Sequence, residues 1–194
     1  PASLALARGC RVKTIKLKKD RRDWLAKQFT GEALTLLPST PENLAAAIKT
    51  ADVFISTILI PGAKPPKLVT TAMVQSMKPG SVLVDVAIDQ GGTVETIDAP
   101  TSIDDPVFTK YDVIHYAVPN QPGAVPRTAT MALAVGNIKY LLAIAKSGID
   151  AAIKNDPALA SGVNLYHGQV TNKGLAESLN LPVVSLETAL KTQH

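Results

Sequence analysis

The run at positions 82–92, Val-Leu-Val-Asp-Val-Ala-Ile-Asp-Gln-Gly-Gly, constrains this chain more than any other segment. So continuous a stretch of Val, Leu, Ile and Ala suits a strand of a parallel sheet, buried on both faces. The stretch stops at Asp89 and Gln90, and Gly91 and Gly92 behind them let the backbone turn sharply beneath a ligand. In α/β proteins the carboxyl end of such a strand is where chemistry is presented. Taken alone, the run also fits a strand followed by a tight glycine turn and nothing more.

Around that run, strand and helix patterns alternate. Residues 11–17, 33–37, 52–59 and 113–118 read as further strands, and 21–29 as a short helix. Thr40 offers an N-cap with Pro41 in the first helical position, which predicts a helix to about Thr50. Pro61, Gly62, Pro65 and Pro66 make a shaped loop, after which 67–77 reads as a helix closed by Lys78-Pro79-Gly80. The strand, crossover, strand unit so formed should be right-handed. Residues 100–106 form an acidic loop, so four or five parallel strands are expected. Beyond Arg127 the period changes: Met131, Ala134, Val135, Ile138, Leu141, Leu142 and Ala145 predict one long helix ended by Gly148. The tail carries a short element at 150–155, a turn at Pro157, weak signal at 164–169, a helix opened by Thr171 and an extended piece at 182–185. It is too small to build a core of its own and is expected to pack on something else.

Composition narrows the classes. With 46% hydrophobic and only 4% aromatic residues, the chain has the aliphatic character that helix-covered parallel sheets require. The single cysteine, Cys10, excludes an internal disulfide framework and points to a reducing, cytoplasmic setting. Asn137 and Lys139 interrupt the longest apolar stretch, so no membrane partner is expected. The net charge of +4 is uneven: nine Lys or Arg fall between Arg8 and Lys27 against only Asp20 and Asp23. That excess lacks an aromatic platform or a motif, so nucleic-acid binding is not expected. His115 on a strand reads as structural, and His167 and His194 have no carboxylate or Cys at metal-ligand spacing, so no metal site is expected.

Three stretches, 60–69, 77–92 and 115–128, closely resemble alanine dehydrogenase in the right order. Nicotinamide nucleotide transhydrogenase shares the fold and part of the glycine turn but differs over 120–128; a relative of its alpha subunit is an alternative. The resemblance implies a partial Rossmann-like parallel sheet with helices on both faces, then the long helix and a small helical part of the substrate domain. It implies a dinucleotide-binding domain over 1–126 and an interdomain helix with a substrate-domain segment over 127–194. The implied reaction is NAD-dependent oxidative deamination of L-alanine to pyruvate and ammonia. Asp89 matches the family's carboxylate near the substrate amine, with Gln90 its neighbour and Asn120 beside the nicotinamide. Ser39 matches an adenosine contact, Ile58 and Leu59 an apolar wall against it, and Ala87 and Ile88 the strand end along the cofactor. Without that context, Ser39 and Asn120 are ordinary turn residues and Ile58 and Leu59 ordinary core.

The family pattern also opens with a substrate domain and a Gly-rich phosphate loop, neither of which this sequence contains. The chain resembles the second half of a member and is expected to be inactive alone; a non-catalytic remnant, or a nucleotide-binding fragment that self-associates, is the alternative. An edge left without its first strand leads us to expect a homo-oligomer. One position departs from the pattern: Lys16 stands where an acidic residue usually meets the ribose hydroxyls. That leaves open NAD, NADP through a phosphate-binding lysine, or a solvated basic face.

Overall fold

The fold rests on parallel pairing between short strands, and the computed structural model describes it for residues 2–29, 31 and 33–191. His194 lies outside the described residues. In chain order the elements begin with helix α1 (Ala2–Ala7), strand β1 (Val12–Lys16), helix α2 (Lys19–Gln28), strand β2 (Leu34–Pro38) and helix α3 (Pro41–Thr50). Then come β3 (Val53–Ser56), α4 (Thr71–Gln75), β4 (Val82–Asp85), β5 (Val107–Lys110) and β6 (Val113–Tyr116). The carboxyl-terminal part holds α5 (Pro126–Ser147), α6 (Ile149–Asn155), α7 (Pro157–Ser161), β7 (Leu165–Tyr166), β8 (Gln169–Val170), α8 (Lys173–Leu179) and α9 (Leu186–Lys191).

Strands β1 and β2 pair in parallel, with Lys16 opposite Pro38. A second sheet has the order β3-β4-β6-β5, parallel across β3, β4 and β6. Five parallel strands thus agree with the expected number. Strand β5 is an addition: it runs antiparallel to β6 through the turn at Tyr111 and Asp112, both in the left-handed region. Its short Val-Phe-Thr-Lys signal lies directly behind Pro106, which masks it in the sequence.

Helix α3 begins as expected, with the Thr40 hydroxyl accepting from the Asn43 N–H at 3.2 Å and Pro41 in the first turn, and it buries Ala47 and Ile48. Helix α4 is shorter than 67–77. Leu68 and Val69 instead donate backbone hydrogen bonds to the Thr93 carbonyl, and Thr70 is the true N-cap. Ile48, Val69, Val74, Leu83, Val94 and Val113 meet in the main core. Along β4, Leu83 and Asp85 are buried while Val82 and Val84 are half-buried, so only one face is fully covered.

Strand β4 also ends earlier than its apolar run. Asp85 is fully buried, and its carboxylate accepts from the N–H of Ala87 at 3.0 Å and of Thr93 at 2.7 Å. The Thr93 hydroxyl lies 3.4 Å from the same carboxylate and 2.7 Å from the Ser56 hydroxyl at the end of β3. Capping by Asp85 diverts the next residues into a one-turn 3-10 helix, Val86–Gln90. A continuous apolar run therefore splits into strand and helix because a buried carboxylate must be satisfied by nearby donors.

Helix α5 spans 22 residues and stops at Gly148, as the periodicity predicts. Met131, Val135, Leu141 and Leu142 are exposed on it, Val135 by 79%. By length and composition it would also suffice to cross a membrane, despite Asn137 and Lys139. The tail does more than expected: Ile153, Tyr166 and Ala189 form a small core, tied by the Tyr166 hydroxyl donating to Asp150 at 2.6 Å. Pro157 lies in α7, capped by Asp156, and α8 is capped by Asn172, not Thr171.

His115 is fully buried and stacked on Phe108 at 4.8 Å. The Val113 carbonyl can only accept, so the His115 Nδ1–H donates to it at 2.9 Å and Nε2 accepts from the Thr96 hydroxyl at 2.8 Å. Burial holds the imidazole below its ordinary value; the Val113 bond opposes this and the Lys110 charge adds to it. The unfolded chain therefore takes up a proton that the folded one resists once the pH drops below about 6.5. Thermal melts should show stability falling as the pH drops through about 6.5 and below, with the slope flattened in His115→Gln. Equal slopes in the two proteins would contradict the neutral, buried imidazole.

Asp85→Asn would set an amide N–H against backbone donors and should cost about 2–3 kcal/mol. Urea denaturation measures it, and an unchanged midpoint would overturn the anchoring role of Asp85.

Candidate active site

The 3-10 helix buries Ala87 and Ile88 and leaves Asp89 exposed at its far end, one turn beyond the end of β4. Gly91 and Gly92 follow with φ of 102° and 68°. A Cβ at Gly92 would lie 2.8 Å from the Asp85 carboxylate, and one at Gly91 2.8 Å from Lys64 Cε. Neither position has room for a side chain, so the turn requires both glycines. Lys67 completes it, its ammonium donating to the carbonyls of Gly91 and Val94 at 3.0 Å each.

Opposite lies the turn after β6. Asn120 adopts the left-handed conformation at φ 48°, and its backbone N–H donates to Asp89 Oδ1 at 2.8 Å. The ends of β4 and β6, which are paired in parallel, thus converge on one carboxylate whose second oxygen, Oδ2, has no hydrogen-bond partner among the described residues. Gln90 follows Asp89 and Gln121 follows Asn120 in the chain, and Gln90 Oε1 and Gln121 Nε2 are buried without a partner among the described residues.

The structure brings Asp89, Gln90, Asn120, Ala87 and Ile88 into one locus. Ile58 and Leu59 follow β3, half-buried and exposed respectively, in the loop after the strand; β3 itself is shorter than 52–59. Lys16 and Ser39 form a separate locus at the carboxyl ends of β1 and β2, and among the described residues no strand pairing joins that sheet to β3. Among the described residues no three His, Cys, Asp or Glu side chains converge as a metal centre would need.

Sequence reading missed the supporting residues Ser56, Thr93, Lys64 and Lys67 and the part that Asp85 plays among them. The available signal was Asp85 itself, since a carboxylate inside an apolar run implies a partner. The loop at 60–67 has a second contact. The Lys64 N–H donates to the Ser178 hydroxyl at 3.0 Å, and a Cβ at Gly62 would meet the Asn172 side chain at 2.8 Å.

The chain is 62% identical over 180 residues to alanine dehydrogenase 1 of Staphylococcus aureus strains Mu50 and N315, covering 93% of this chain and 48% of each relative. Among solved structures, an L-alanine dehydrogenase superposes with a TM-score of 0.78 at 37% identity, over 92% of this chain and 49% of that one. A transhydrogenase from Sinorhizobium meliloti gives a TM-score of 0.60 at 28% identity, over 72% and 39%. The chain thus spans about half the length of the relatives it matches. The profile of the family "Alanine dehydrogenase/PNT, C-terminal domain" matches residues 1–173, from the amino-terminal helix through both strand-end turns and α5 to the start of α8, and the chain belongs to that family.

Proposed function

We propose that this chain forms the dinucleotide side of an alanine dehydrogenase, which oxidises L-alanine to pyruvate and ammonia in the cytoplasm. The observation that carries the reading is Asp89, one oxygen held by the Asn120 N–H and the other without a partner among the described residues. The free oxygen is suited to hold the substrate ammonium and to accept a proton as the amine is oxidised. A bound nicotinamide would supply the two-electron acceptor.

The residues present fit such a ring. The acceptor on Gln90 and the donor on Gln121, both without a partner among the described residues, are the kinds of group that pair with a carboxamide. Half-buried Ile58 and Leu59, 68% exposed, give apolar surface for a dinucleotide crevice, with Ala87 and Ile88 buried beneath the turn. The division into 1–126 and 127–194 follows α5, which leaves the second strand-end turn at Pro126. The apolar exposure of α5 supports self-association through that helix together with cover from residues this chain does not contain.

The test joins the amino-terminal half of Staphylococcus aureus alanine dehydrogenase 1 ahead of Pro1. The hybrid should reduce the dinucleotide when given L-alanine, while the 194-residue chain alone should not. Asp89→Asn in the hybrid should lower kcat by about 100-fold or more, and a variant as active as its parent would remove Asp89 from the chemistry. Sedimentation of the chain at micromolar concentration should show dimers or larger species; a clean monomer would contradict self-association.

A further inference from the structure

We propose that the dinucleotide taken by this chain carries a phosphate on its adenosine 2′-oxygen, with Lys16 as the specificity residue; this rests on the dinucleotide reading above. Strands β1 and β2 run in parallel with Lys16 opposite Pro38, so Lys16 and the Pro38-Ser39-Thr40 turn share one sheet edge. At this strand end, doubly wound sheets meet ribose hydroxyls with a carboxylate, or a 2′-phosphate with a cation. An ammonium has three donors and no acceptor, so Lys16 cannot take the hydrogen bonds that an unphosphorylated ribose offers.

The surroundings favour an anion. Neither Lys16 nor Lys18 has an ion-pair partner among the described residues. The nearest carboxylates in the sequence are Asp20 and Asp23, and Asp23 is engaged by Lys19 at 2.7 Å. Arg22 donates from Nη1 to the carbonyls of Lys16 and Leu17 at 2.7 and 2.9 Å. That contact fixes the backbone between the two lysines and covers carbonyl oxygens that would repel a phosphate. Across the edge, α3 starts directly behind Ser39, whose exposed hydroxyl adds a donor; the first turn of α3 already holds the Glu42 carboxylate, hydrogen-bonded with Thr40, so the attraction must come from the lysines. A solvated basic face would need none of this ordering around one strand end.

The experiment titrates the purified chain with NADP and with NAD, read by calorimetry and by the fluorescence of Trp24. This sole tryptophan lies on α2 beneath Arg21, whose guanidinium is 3.9 Å from its ring. NADP should bind about tenfold or more tighter than NAD, as a charge-assisted phosphate contact implies. Lys16→Asp should reverse the order, Lys16→Gln should level it, and Lys16→Arg should retain it, all with unchanged circular dichroism. Equal affinities, or tighter NAD, would overturn the phosphate assignment and leave the dinucleotide reading standing. Failure of both to bind would overturn the two together. Displacement of NADP by an equal concentration of inorganic pyrophosphate would also overturn the assignment, leaving only unspecific attraction to polyanions.

Discussion

A single buried carboxylate organises the strand-end chemistry. Asp85 has no access to solvent, so the N–H groups of Ala87 and Thr93 must serve it, and in serving it they bend the chain twice within eight residues. The first bend makes the 3-10 helix that carries Asp89, and the second brings Thr93 back beneath it and onto Ser56 of β3. Gly92 lies in the angle between, where any Cβ would press on the same carboxylate. Ionic and hydrogen-bonding needs at position 85 thus dictate the backbone path at position 89, four residues away.

Much of the architecture was legible because local and tertiary preferences agree. Thr40 and Pro41 announce α3 through capping alone, and the aliphatic repeat from Met131 to Ala145 with Gly148 behind it announces α5. The strands failed in their lengths. Apolar character persists through Val86, Ala87 and Ile88, yet pairing stops at Asp85, because periodicity records burial and not the hydrogen bonds that a buried charge commandeers. Strand β5 was obscured for a related reason: four residues behind a proline carry little pattern, and only β6 gives them a partner.

The candidate site was legible as residue types and not as a constellation. Asp89 and Asn120 are 31 positions apart, and their contact follows from the β4 and β6 pairing together with the left-handed turn at Asn120. The lysines that brace the glycine turn from outside carried no signal, since Lys64 and Lys67 sit in a proline-rich loop where solvated side chains are the rule.

That loop has two neighbours at once. One flank touches α8 through Ser178 and Asn172, and the other lays the Lys64 methylenes over Gly91 while Lys67 grips the Gly91 carbonyl. A shear of the carboxyl-terminal helices against the sheet is therefore geared to the floor beneath Asp89. Through Ser178 and Asn172 the carboxyl-terminal tail thus shares one loop with the turn that carries Asp89.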